Sequence, residues 1–135
     1  MTQAKIESVI EKIPELTDFG IGLFDGGRNL SRKEYDEQFK RNQEDLLDSV
    51  ATFEKACEWL EQIKKIKTIN RKRSSYGLKH VAEKDIGYIT NGVFIAAAVY
   101  SGFEYKIYDN PPNVSFNMSE KSIKQIEKRH NSNMP

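Results

Sequence analysis

The chain has one cysteine, Cys57, in 135 residues, so no disulfide can close within it. Its two histidines, His80 and His130, together with that single thiol are too few for a Cys/His zinc site. No metal and no cofactor is expected. The longest strictly apolar run, Val93 to Val99, covers seven residues, where a membrane span needs about 20. The opening MTQAKIES lacks the apolar stretch of a secretory signal. A cytoplasmic protein without membrane contact is the expectation. Catalytic signatures are missing as well. The stretch Phe19 to Gly27 holds four glycines but neither the lysine nor the Ser/Thr of a phosphate loop.

The residues present suit a small folded domain. Apolar residues make up 38% and charged residues 30%, and seven Phe, six Tyr and one Trp can fill one core. The length fits a single domain over 1–135, with 131–135 fraying. Ile6, Val9, Ile10 and Ile13 line one helical face that Thr2 caps and Pro14 ends. The glycine-rich stretch reads as a loop whose Phe19, Leu23 and Phe24 tuck into the core. Ser31 and Glu34 form a capping box. From there to about Thr68 no Gly or Pro interrupts a stripe of Phe39, Leu46, Val50, Phe53, Cys57 and Leu60. One helix of that length would span about 54 Å, so a bend near Asn42-Gln43 is expected. The stripe also permits a homodimer seam, although Gln43 and Lys64 interrupt it.

Ser74-Ser75 can cap a helix to about Asp85 that Gly87 ends. Thr90-Asn91 can cap the next, Gly92 to Ser101, whose VFIAAAVY interior is apolar all round and therefore buried. Phe103, Tyr105 and Ile107, then Val114, Phe116 and Met118, alternate with polar residues around a Pro/Asn turn, which predicts a β-hairpin. Ser119 caps a last helix with Ile123 and Ile126 inward. The fold expected is mainly α: a single compact helical domain with one long amphipathic helix, a buried apolar helix and a small β-hairpin.

Charge is unevenly spread. The net +1 divides into −6 for residues 1–63, +7 for 64–82 and zero for 83–135. Lys64, Lys65 and Lys67 would end the long helix, where cations suit the dipole. Arg71, Lys72 and Arg73 precede a helix start at Ser74 and Ser75, and Lys79 follows one turn on. Arginines, hydroxyls and free helix N–H groups together make a phosphate site. Nucleic acid, DNA or RNA, is the expected polyanion, held through phosphates. The alternative is an interaction or inhibitor module that docks on an acidic protein surface, with Tyr105 and Tyr108 as aromatic anchors.

Residues 66–101, with Lys67 to Arg73 as a strand followed by LKHVAEKDIG and TNGVFIAAA, resemble the ribbon-helix-helix DNA binders in helix-turn-helix spacing. That resemblance implies a strand pair from a dimer entering the major groove. Ile69 would then face DNA beside Lys67 and Arg71, and the second helix is apolar throughout, so both residues and helix fit poorly. The same apolar helix lacks the polar outer face that a winged-helix reader needs. A catalytic reading would centre on Ser75, Tyr76, Lys79, His80 and Glu83, of which the last four stand three or four apart and can neighbour one another on a helix. Such pairs are ordinary on helix surfaces, and the protein is read as a binding protein, not an enzyme.

Overall fold

The computed structural model describes residues 2–23, 30–107 and 112–132. Among them are six helices and two short antiparallel strand pairs. The order is α1 (Thr2–Lys12), β1 (Leu16–Thr17), β2 (Gly20–Ile21), α2 (Arg32–Asp48), α3 (Val50–Leu60), α4 (Ser75–Ile86), α5 (Asn91–Tyr100), β3 (Tyr105–Lys106), β4 (Ser115–Phe116) and α6 (Glu120–Ser132).

The apolar α5 is the centre of the domain. Every residue from Asn91 to Val99 is buried, and α1, α3 and α4 pack against it. Phe94 meets Trp59 of α3 and Phe116 of β4 edge-on, both at 6.2 Å between ring centroids, the arrangement that ring quadrupoles favour. Ile6, Val9 and Ile13 face this core and Ile10 packs at its margin. Thr2 lies inside α1, and its hydroxyl donates to the Glu54 carboxylate of α3.

The long helix is broken where the sequence stripe continues. Ser31 forms the capping box with Glu34, but α2 stops at Asp48 and α3 starts at Val50. The break falls at Ser49, whose hydroxyl donates to the Asp45 carbonyl at 2.8 Å. A serine turning back on the preceding turn competes with helix continuation. The expected bend at Asn42-Gln43 is instead a contact: Gln43 Nε2 donates to the carbonyls of Pro14 and Leu16 at 2.9 and 3.0 Å. α3 ends at Leu60, so Lys64, Lys65 and Lys67 are not on a helix.

Two other expectations change. The start of the glycine-rich stretch is a tight strand pair with Leu16 opposite Ile21. Leu16 is its buried anchor, while Phe19 and Leu23 are only half-buried; Phe24 lies outside the described residues. The hairpin pairs Tyr105 with Phe116 and Lys106 with Ser115, but residues 114–118 are buried on both faces. The reason is segment 64–75, which runs along the other side of β4. Ile66 N–H donates to the Asn117 carbonyl, Asn70 N–H to Phe116, Ser75 N–H to Val114, and Ser119 N–H to Lys64, all at 2.8–2.9 Å. α6 continues through Ser132, with Ile123 and Ile126 inward. No described helix is long and apolar enough to cross a membrane.

Candidate functional site

The basic segment is an extended strap with its backbone turned to β4. Asn70 holds it from beneath: buried, it donates to the Met118 carbonyl at 3.2 Å and to Glu120 at 2.9 Å, and its Oδ1 accepts the Lys72 N–H at 3.0 Å. Asn117 Nδ2 donates to the Ile66 carbonyl at 2.8 Å. With the backbone thus satisfied, Lys64, Lys65, Lys67, Arg71 and Lys72 project outward and are exposed. Lys65 lies over the Phe103 ring, 4.9 Å from its centroid. Among the described residues, Lys64, Lys65, Lys67 and Lys72 form no ion pair with a carboxylate.

The remaining members of the expected phosphate set have internal partners. Arg73 clamps two carboxylates of α6, with Nη2 2.7 Å from Glu120 and 2.8 Å from Glu127. Hydrogen bonds to Glu127 and Glu120 push the guanidinium pKa further up. In return, Arg73 holds Glu120 at about 2 and Glu127 below the usual carboxylate range. Ser75 is fully buried, and its hydroxyl accepts the Val114 N–H at 3.0 Å. Ser74 caps α4 by accepting from Gly77 N–H. Because Ser75 N–H is paired with Val114, this helix start presents fewer free donors than an open N-terminus.

Lys79 is 5% exposed. Its ammonium donates to Glu83 at 3.1 Å and to the Ile89 carbonyl at 3.2 Å. The rings of Tyr76 and Tyr88 flank it, with centroids at 5.2 and 5.0 Å, a cation–π arrangement on two sides. Burial pushes Glu83 up, but hydrogen bonds from Lys79, the Ile89 N–H and His80 outweigh it and hold the carboxyl below its ordinary value. His80 Nδ1 lies 2.7 Å from Glu83. The helix-face neighbours read from spacing therefore do meet.

Three of them, Tyr76, Lys79 and His80, line a cleft of about 710 Å³ together with Asp18, Phe19, Asn42, Tyr88, Thr90, Asn91, Pro112 and Asn113. Asp18 is brought there by the β1–β2 turn, which presses on the start of α5: Gly92 N–H donates to the Asp18 carbonyl at 3.1 Å, and the Thr90 hydroxyl to the Asp18 carboxylate at 2.7 Å. Burial pushes the Asp18 carboxyl above its ordinary value, against the Thr90 hydrogen bond and with the help of the Asp45 charge. Asn91 Nδ2 points at three acceptors, the carbonyls of Phe19 and Pro112 and Asn113 Oδ1, which fixes its amide orientation. Its Oδ1 is buried and has no partner among the described residues. Among those residues, no three His, Cys, Asp or Glu side chains could hold a metal ion together.

Sequence reasoning found Tyr76, Lys79, His80 and Glu83 but not the opposite wall. Asp18, Asn42, Thr90, Asn91 and Asn113 come from distant segments, and Thr90-Asn91 carries a capping signal that conceals a second use. Tyr105 is partly buried against the core beside Phe103, and Tyr108 lies outside the described residues. No protein-family model, curated protein or solved structure matches the chain.

Proposed function

We propose that this is a non-enzymatic binding protein that holds DNA or RNA by its phosphates. Lys64, Lys65, Lys67, Arg71 and Lys72 make the contact surface, while Arg73 and Ser75 anchor its C-terminal end and Lys79 is engaged inside the fold with Glu83. The observation that carries this reading is the strap itself. Its backbone is tied to β4 by hydrogen bonds at 2.8–2.9 Å, while its lysines stay exposed and without carboxylate partners among the described residues. A cationic row on a rigid backbone suits a repeating anion better than a mobile tail does, because less freedom is lost on binding. The near-zero net charge of the whole chain confines binding to this face.

The test is binding to labelled duplex and single-stranded DNA and to RNA over a range of salt. Affinity should fall log-linearly with salt. The folded Lys64→Gln/Lys67→Gln/Lys72→Gln variant should flatten the slope by about 2 to 3 if each lysine meets one phosphate. Absence of binding at low salt, or an unchanged slope in the variant, overturns the reading.

One observation favours an acidic protein partner instead. A shallow groove of about 530 Å³ is lined by Ile69, Val99, Phe103 and Tyr105 together with Lys12, Lys106 and Glu104. An acidic peptide with apolar anchors would fit such a surface. Tyr105→Ala would weaken that partner with little effect on salt dependence, whereas nucleic acid would be displaced by heparin.

A further inference from the structure

The cleft between α4 and the start of α5 joins the basic face. A second groove, of about 400 Å³, is lined by Lys72, Ser74, His80 and Lys84 and by the paired Arg73 and Glu127, and His80 also lines the cleft. A strand whose phosphates follow the strap past Lys72 would thus arrive at the cleft mouth.

Two features of the cleft define what would enter. The first is the pair of tyrosines. Tyr88 is 75% exposed and Tyr76 52%, both far more than aromatic rings usually are when packing alone places them. Each ring lies near the buried Lys79 ammonium; Tyr76 also meets the His80 ring edge-on at 4.5 Å, so Tyr88 is the ring with more surface open to a flat ligand. The second is an excess of acceptors. Among the described residues, Asp18 offers a carboxylate of which only Oδ1 is taken, by Thr90. Asn42 spends its Nδ2 on the Gln38 carbonyl, its Oδ1 has no hydrogen-bond partner among those residues, and the buried Asn91 Oδ1 adds a further acceptor without one. A ligand that is flat, aromatic and edged with N–H donors matches both features.

We infer that the cleft receives one unstacked nucleobase carrying an exocyclic amino group, stacked on Tyr88 with its amino edge toward Asp18. This deepens the phosphate-binding reading and rests on it for the source of the base. The cleft volume exceeds that of one base and lies in the range of small-ligand sites. Aromatic stacking with a carboxylate at the base edge is the general chemistry by which extruded or single-stranded bases are held.

The test compares an oligoadenylate with an abasic strand of equal length, and titrates free adenosine, which carries no phosphate, while following tyrosine fluorescence. The oligoadenylate should bind about tenfold or more tightly than the abasic strand, the scale of one stacked base. Tyr88→Ala should erase that difference without weakening abasic binding, Tyr88→Phe should keep it, and Asp18→Asn should reduce it. Tyr88 is exposed, so its replacement leaves the core intact. Equal affinity for the two strands overturns the inference, as does a difference that survives Tyr88→Ala. If neither strand binds, the phosphate reading fails, and adenosine alone decides the cleft: saturable binding lost in Tyr88→Ala supports it, and no binding overturns it.

Discussion

Gly92 lies so close to Thr17 that a methyl group at its Cα would stand 2.0 Å from the Thr17 carbonyl oxygen and 2.8 Å from the Asp18 Cα. Both obstacles are backbone, so neither can rotate aside. This contact seats the β1–β2 turn on the start of α5 and sets the Asp18 wall of the cleft. Gly92→Ala should therefore cost about 3 kcal/mol, at the upper end of overpacking effects. In urea, the midpoint should fall with the slope unchanged. A midpoint equal to that of the wild type would show that the turn and α5 do not touch.

Arg73 is the second fixed point, since it joins the strap to α6 through Glu120 and Glu127. Arg73→Ala should destabilise the protein by about 2 kcal/mol, the scale of a lost charge-assisted hydrogen bond, and leave two carboxylates facing each other. Its effect on nucleic-acid binding should be much smaller than that of Lys67→Gln at equal folded fraction. A flattened salt slope in a folded Arg73→Ala protein would return this residue to the contact surface.

The same cluster predicts an acid limb. Glu120 has its carboxyl lowered from 4.5 to about 2 in the folded state by Arg73 hydrogen bonds. Between those values the unfolded chain binds more protons than the native one, so this contribution is complete above about pH 4.5 and is lost as pH falls toward 2. In Glu120→Gln that part of the slope should vanish. Chemical denaturation across this window would show the wild-type and variant curves converging at low pH. Parallel curves would contradict the assignment.

Asp18 has the opposite sign. Its folded-state pKa is raised, with burial as the leading cause. The associated stability is fully present below the unfolded value of 3.8 and is lost as pH rises through the folded value. Asp18→Asn keeps an acceptor for Thr90 without the charge. It should raise Tm at pH 7, with the gap closing as pH falls below about 3.8. A variant that gains stability while losing adenosine binding would mark a carboxylate retained for a ligand. A lower Tm would make Asp18 a structural cap.

Cys57 offers a probe of opening. Burial pushes its thiol up, against a hydrogen bond to Ser101, and less thiolate means slower attack. Labelling with a disulfide reagent at pH 8 should be slow in the native protein and accelerate in urea together with loss of buried Trp59 fluorescence. Fast native labelling would show that α3 opens locally.

Much of the helical frame was legible in the residues. The Ser31 capping box, the Thr90 cap, the all-apolar α5 and the inward Ile123 and Ile126 all carry local signals of period or capping. Elsewhere, the apolar stripe ran on through two helices because Ser49 breaks the chain without a Gly or Pro to mark it. The alternation in 114–118 predicted one exposed face, and the strap covered it. In the candidate site, the α4 members were visible as i, i+3 and i+4 neighbours. Asp18 and Asn42 were not, since nothing local ties either to a residue more than thirty positions away.

The sequence by itself determined most of the helical frame, that α5 must be central, and that positive charge gathers between Lys64 and Lys79. Those properties depend on neighbours within a few residues, and local chemistry decides them. Only the tertiary structure decided which of those cations remain available. Arg73 is claimed by α6 and Lys79 by the half-buried Glu83 carboxylate, while hydrogen bonds to β4 spread the other cationic side chains of the strap outward. Availability depends on what the rest of the chain brings alongside, and that is settled when the core closes around α5.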